Sequence, residues 1–174
     1  MEFSREIQNL QLKDLQLIAF DFDGIFTNDK VFIDENGRES VVCSRSDSLG
    51  VAKLKQEIDT KNFKTKIIVV STETNRVVSA RCQKMKLQAF TGVDDKAKFI
   101  ANFAISNGID LKYSLYAGND LNDFTAMSLF GFRFAPENAH PKIKGIATNN
   151  LTSYGGNGFV RELTEIIAPA AFED

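Results

Sequence analysis

Four short apolar runs constrain the fold of this chain more than any other feature. They are Leu17-Ile18-Ala19-Phe20, Ile67-Ile68-Val69-Val70, Tyr113-Ser114-Leu115-Tyr116-Ala117 and Phe132-Arg133-Phe134-Ala135, and each ends in small or polar residues. Apolar runs of this length, with little polar alternation, read as strands buried on both faces. Helical patterns lie between them. Ser48 to Ile58 carries Leu49, Ala52, Leu54 and Ile58, and Asp95 to Asn107 carries Phe99, Ile100, Phe103 and Ala104 before stopping at Gly108. This alternation predicts an α/β fold in three layers, a Rossmann-like parallel sheet with helices on both faces. Such sheets bind ligands beyond the carboxyl ends of their strands. One segment departs from the pattern. Lys30 to Ile33, the turn Asp34-Glu35-Asn36-Gly37 and Arg38 to Cys43 read as a β-hairpin over residues 30–43, inserted after the first strand. Its residues Val31, Ile33, Val41 and Cys43 offer one apolar face. The 174 residues contain no repeat, low-complexity tract or Pro/Ser-rich linker, so a single domain over 1–174 is expected.

Bulk properties exclude several functions. A net charge of −2 gives no global reason to bind nucleic acid, so an anionic ligand has to be met locally. Cys43 and Cys82 are the only cysteines, which rules out a disulfide framework and a Cys/His metal site. Both are expected as reduced thiols. No stretch approaches the roughly 20 apolar residues of a membrane span, and the start, MEFSREIQNLQLKDLQL, lacks a basic segment followed by an apolar one. A cytoplasmic location without membrane contact is the expectation.

The chemistry concentrates where strands end. Phe20-Asp21-Phe22-Asp23-Gly24 sets two carboxylates where an apolar run gives way to glycine. Two acids in a small space repel each other unless a cation neutralises them, and Mg²⁺ prefers such hard oxygen ligands. Asp also begins turns after strands, so the pair alone decides nothing. Ser71, in Ser71-Thr72-Glu73-Thr74-Asn75, lies at the next strand tip, where its hydroxyl can donate to a phosphate or cap a helix. Lys96 opens a helical pattern, a position where the helix dipole disfavours a cation unless an anion is near; Lys98 competes for the same role. Ala117-Gly118-Asn119-Asp120-Leu121-Asn122-Asp123 places further oxygen ligands after the fourth run. His140, beside Pro141 in a polar turn, is given no role.

Taken in order, these segments resemble the motifs of the haloacid dehalogenase superfamily of phosphotransferases. FDFDGIFT, from Phe20 to Thr27, looks like the first motif, and Ser71, Lys96 and GNDLND look like the second, third and fourth. The resemblance is strongest to a small, capless branch. That branch holds 3-deoxy-octulosonate 8-phosphate phosphatases of lipopolysaccharide biosynthesis, nonulosonate 9-phosphate phosphatases of the sialic acid type, and the phosphatase-like domain of acylneuraminate cytidylyltransferases. The inserted hairpin, Ser44 to Gly50 and Gly155 to Glu162 carry that choice. The resemblance implies a phosphoric monoester hydrolase acting on a 2-keto-3-deoxy sugar acid phosphate, with Asp21 as nucleophile, Asp23 as proton carrier, and Ser71 and Lys96 on the phosphoryl oxygens. It implies Mg²⁺ held by Asp21, the Asp23 carbonyl and Asn119 or Asp120.

Two departures stand out. Asn119 replaces an acid common in relatives, and Ser-Thr-Glu replaces Thr-Gly-Arg, which leans toward a nine-carbon substrate. The branch also implies a homotetramer whose neighbours wall the site, with Arg161 on the substrate carboxylate and Asp47, Ser48, Glu73, Arg81 and Lys84 as further contacts. Asp47 or Ser48 could equally cap the helix that follows. The alternative function is a catalytically weak tetramerisation domain associated with a cytidylyltransferase. A phosphomutase ranks last because no large cap is present to exclude water.

Overall fold

The computed structural model describes residues 10–173; the start of the N-terminal segment read above lies outside them. The chain runs β1 (Leu17–Phe20), a hairpin of β2 (Phe32–Ile33) and β3 (Glu39–Ser40), α1 (Arg45–Lys61), β4 (Lys66–Val70), α2 (Arg76–Met85), β5 (Gln88–Phe90) and α3 (Lys96–Asn107). It continues through β6 (Ser114–Ala117), α4 (Phe124–Met127), β7 (Phe132–Ala135), α5 (Pro141–Ile146), β8 (Asn149–Asn150) and α6 (Phe159–Ile167). Six strands form one parallel sheet in the order β5-β4-β1-β6-β7-β8. Among the described residues no large cap interrupts it.

The apolar runs fit this sheet because successive side chains face opposite layers. Ile18, Phe20, Val69, Leu115 and Phe134 pack with α1, α2 and α6. Leu17, Ala19, Ile68, Val70, Tyr116 and Ala135 pack with α3, α4 and α5. The central strand β1 is buried along its whole length, with Leu17–Phe20 paired to Lys66–Val69 on one side and Ser114–Ala117 on the other. The chain winds outward from β1 to β5 and then returns to β6. Strand order therefore reverses between β1 and β6, where an open α/β sheet leaves a crevice beyond its strand tips.

Helix ends are specified locally. Ser44 caps α1 by accepting from the Ser46 and Asp47 N–H groups, so the cap expected of Asp47 or Ser48 falls to Ser44. Asp95 caps α3, and Gly108 ends it in the left-handed conformation. The hairpin is shorter than its sequence span: Phe32 pairs with Ser40 and Ile33 with Glu39, and a Thr27–Cys43 bridge closes its base. Val41 and Cys43 pack against the chain's own core. Val31 and Ile33 are 47% and 64% exposed, so only that half of the expected apolar face is free; Phe32, outside that face, is 65% exposed.

Candidate active site

Asp21 is the first residue beyond β1. Its N–H prolongs the ladder to the Ala117 carbonyl (2.9 Å), which fixes the side chain at the sheet's edge, nearly buried. Asp21 Oδ1 accepts from the Phe22 N–H (2.7 Å) and pairs with Lys96 Nζ (2.7 Å). Lys96, the first residue of α3, also reaches Asp123 Oδ1 at 2.8 Å. The two carboxylates explain how a cation is tolerated, 2% exposed, at a helix N-terminus. Asp123 is itself the hub of the fourth motif. Its Oδ1 accepts from Tyr116 Oη (2.7 Å), and its Oδ2 from the Asn119 and Asp120 N–H groups (2.9 and 3.4 Å). Burial and the nearby Asp123 carboxylate push the Asp21 acid well above the ordinary carboxylate range, against the pull of Lys96. Burial disfavours the Lys96 ammonium, yet Asp21 and Asp123 outweigh it and hold its pKa above the ordinary value. Two buried acids against one ammonium leave a negative charge that a further cation would balance.

Asp23 is half-buried, and Thr27 Oγ1 donates to its Oδ1 at 3.2 Å. Burial raises its pKa; Thr27 opposes this, while Glu73 and Asp29 add to it, so the group is disposed to carry a proton. Ser71 follows β4 and is buried. Its Oγ accepts from the Glu73 N–H at 3.0 Å, which leaves its own hydrogen for a ligand. A cleft of about 430 Å³ joins Asp21, Asp23, Ser71, Glu73, Asn119 and Asp120.

Asn119 tests whether a metal fits. Its side chain lies over Gly24: a Cβ there would stand 1.9 Å from Asn119 Nδ2, and Gly24 has φ +73°. The carbonyl of Asn119 accepts from the His140 N–H (2.8 Å), so the loop is pinned from both ends. Asn119 Oδ1 is buried without a hydrogen-bond partner. A buried acceptor left unmatched costs about 1–3 kcal/mol, and a hard divalent cation would satisfy it. Asp120 is exposed and accepts from its own Leu121 N–H at 2.7 Å. Among the described residues no three His, Cys, Asp or Glu side chains cluster as a metal site. A cation here therefore needs a mixed donor set, and Asp21 with the Asn119 amide oxygen supplies one.

The haloacid dehalogenase-like hydrolase family matches residues 4–163. The chain belongs to this family. A family hydrolase from Streptomyces avermitilis is 35% identical, with a TM-score of 0.85 over 92% of this chain and 90% of that one. The Moraxella catarrhalis 3-deoxy-D-manno-octulosonate 8-phosphate phosphatase, solved with magnesium, phosphate and KDO, is 26% identical. Its TM-score is 0.84 over 97% of this chain and 91% of that one. The Haemophilus influenzae enzyme of the same name is 24% identical over 161 residues, 92% of this chain and 86% of its own length. The expected family, fold and hydrolase class thus stand.

Within this haloacid dehalogenase-like hydrolase, the other candidate residues lie apart from the cleft. Asp47 is buried and accepts from the Gly158 and Arg161 N–H groups (3.3 and 3.0 Å), capping α6 from 111 residues away in the nearer case. The Arg161 side chain pairs with Glu165 at 2.5 Å and stacks 4.6 Å from the Phe172 ring centre. Ser48, Arg81 and Lys84 line a separate groove of about 790 Å³ between α1 and α2, where Arg81 bonds Ser48. Of the substrate candidates only Glu73 borders the cleft. From sequence, Tyr116 and Thr27 carry no individual role, and Asp123 figures only among the oxygen ligands after the fourth run. A tyrosine inside a fully buried strand does signal a polar partner for its hydroxyl, and Asp123 is that partner. His140 caps α5 through Nδ1, a structural role.

Proposed function

We propose that this chain is a Mg²⁺-dependent phosphatase that hydrolyses the phosphomonoester of a 2-keto-3-deoxy sugar acid through an aspartyl-phosphate. The observation that carries the reading is the division of labour at Asp21. Oδ1 is held by Lys96 and the Phe22 N–H, Oδ2 makes no hydrogen bond among the described residues, and Asp21 lines the cleft shared with Asp23 and Ser71. Asp21 attacks phosphorus as the bond to the sugar oxygen breaks, and Asp23 gives that oxygen its proton. Water then attacks phosphorus, passes its proton to Asp23, and the Asp21–phosphorus bond breaks to release phosphate. Lys96 and the Ser71 hydroxyl neutralise and orient phosphoryl oxygens, which is most of what phosphoryl transfer requires. Asp21 and Asn119 Oδ1 would hold the Mg²⁺, which when bound adds charge compensation on the phosphoryl group.

The sugar acid class rests on the names of the curated relatives, which are octulosonate phosphatases, and on the KDO and magnesium in the Moraxella structure. A nine-carbon nonulosonate 9-phosphate remains the second substrate of the reading. Charge supports a neighbouring subunit as part of this reading, with the homotetramer as the proposed assembly. Among the described residues the cleft's lining is rich in carboxylates and holds no cation to meet the substrate carboxylate, whereas the α1/α2 groove carries Arg45, Lys55, Arg81, Lys84 and Lys86. Arg81 and Lys84 of a neighbouring subunit would supply it.

The test is Mg²⁺-titrated hydrolysis of 4-nitrophenyl phosphate and of eight- and nine-carbon keto-acid phosphates by wild type and Asp21→Asn. The expected result is turnover that EDTA removes and Asp21→Asn lacks. Equal turnover in wild type and Asp21→Asn sinks the mechanism; preference for the aryl phosphate alone sinks the substrate class.

A further inference from the structure

A second cavity opens beside Asp23, away from the phosphoryl-binding groups. It encloses about 200 Å³ between the hairpin and α2. Its floor is apolar, built from Phe22, Val41, Val77 and Val78, and its rim carries Asp23, Asp29, Lys30, Glu39, Glu73 and Asn75. Asp23, Asp29 and Glu73 also border the catalytic cleft, so the two spaces share a wall. The hairpin is tied across this pocket. Asn75 Nδ2 donates to Glu39 Oε2, while Asn75 Oδ1 accepts from the Val77 N–H (3.0 Å) as the cap of α2. One side chain thus joins hairpin strand β3 to the helix that follows the Ser71–Glu73 loop. Asp29 is held at the shared wall in the left-handed conformation, φ +63°, with its N–H on Thr27 Oγ1 at 3.2 Å.

We propose that this pocket receives the leaving group, and that Glu39, set in place by Asn75, is a specificity-determining residue that selects a neutral, hydroxyl-bearing carbon chain. The inference rests on the role given to Asp23. The group that protonates the departing oxygen has to touch the leaving group, and the pocket is the enclosed space on the Asp23 side of the cleft. Glu39 and Glu73 accept hydrogen bonds and cannot donate them when ionised, so hydroxyl groups satisfy them. Their charge, with that of Asp29, repels a carboxylate, and Lys30 is the rim's one cation among the described residues. The Phe22 and valine floor matches the C–H face of such a chain. A sugar acid phosphate would therefore enter with its hydroxylated tail against Glu39 and its carboxylate outside.

The test compares kcat/KM for 3-deoxy-octulosonate 8-phosphate, sorbitol 6-phosphate and 4-nitrophenyl phosphate in wild type, Glu39→Ala, Glu39→Gln and Asn75→Ala. Glu39 is exposed on a hairpin, and circular dichroism verifies that the variants fold. In Glu39→Ala the ratio of either polyol phosphate to the aryl phosphate should fall at least tenfold, mainly through KM. Asn75→Ala should fall in the same direction, and Glu39→Gln, which keeps an acceptor, should fall less. If wild type turns over sorbitol 6-phosphate in a Glu39-dependent way but rejects the sugar acid phosphate, the proposed substrate is wrong and the pocket stands. An unchanged ratio in Glu39→Ala, or a wild type that does not favour either polyol phosphate over the aryl phosphate, overturns the pocket assignment and leaves the phosphatase chemistry untouched.

Discussion

Replacing Tyr116 by Phe isolates one interaction in the buried network behind the cleft. The ring is fully buried and its hydroxyl donates to Asp123 Oδ1 at 2.7 Å. Phe keeps the ring and opens no cavity larger than one oxygen. A hydrogen bond to a charged group contributes about 1.5–3 kcal/mol. Asp123 keeps Lys96 at 2.8 Å and two N–H donors, so the cost belongs at the low end, near about 1.5 kcal/mol. At roughly 2–4 °C per kcal/mol for a chain of this size, Tm falls by about 3–6 °C. Lys96→Met is the calibrating variant, since it leaves two buried carboxylates facing each other, and breaking a buried pair costs about 3–5 kcal/mol. Urea unfolding followed by circular dichroism, with an unchanged m-value, measures both. Because the Asn119 and Asp120 N–H groups bind Oδ2, Tyr116→Phe should leave that loop and its Mg²⁺ affinity in place while loosening Lys96, and so lower kcat more than it weakens metal activation. A Tyr116→Phe cost under about 0.5 kcal/mol, or a Lys96→Met cost no larger than that of Tyr116→Phe, would refute the claim that Asp123 is the shared anchor.

Gly24→Ala places a methyl 1.9 Å from Asn119 Nδ2 at φ +73°, so it should displace the orphaned amide oxygen and raise the Mg²⁺ concentration needed for half-maximal activity at least tenfold; an unchanged metal titration argues against Asn119 as a ligand. Glu162 shows the opposite pKa behaviour to the buried acids. Burial disfavours its charge, but the Ser153 and Thr152 N–H and hydroxyl groups outweigh this and lower its pKa below its ordinary 4.5. Its contribution to stability is therefore complete above about pH 4.5 and lost as pH falls through the lowered value, so the difference in unfolding free energy between wild type and Glu162→Gln should shrink from pH 6 to pH 3. A difference independent of pH contradicts the assignment. Phe32→Glu with Ile33→Lys charges the two most exposed apolar positions of the hairpin and should convert a tetramer into smaller species in light scattering; a wild type that is monomeric at micromolar concentration removes the basis for neighbours completing the site.

The parts of this molecule that are legible in its sequence are those fixed by strand register. Leu17–Phe20 has the expected bounds because a strand covered on both faces writes its burial as a continuous apolar run, and Phe132–Ala135 has them although Arg133 interrupts its run. The edge strands Gln88–Phe90 and Asn149–Asn150 are short and partly polar, and carry no such run. Helix α2 is not hidden in this way, since its buried Val78, Cys82 and Met85 recur at i, i+4 and i+7, the spacing of one helix face. Asp21, Ser71 and Asn119 converge because each lies one or two residues past the tip of β1, β4 or β6, which the sheet sets side by side in the order β4-β1-β6. Lys96 joins them from the first turn of α3. Asp47, Arg81, Lys84 and Arg161 sit on helices, where position in the motif order does not say which way a side chain turns. The rotation of α1 against α6 directs Asp47 to the Gly158 and Arg161 N–H groups, a contact over 111 and 114 residues that no local pattern encodes. The same packing leaves Arg81 and Lys84 on a groove of their own. Strand tips thus gather Asp21, Ser71 and Asn119 within one chain, whereas Arg81 and Lys84 line a different surface, and under the proposed function they would reach a cleft only from a neighbouring subunit.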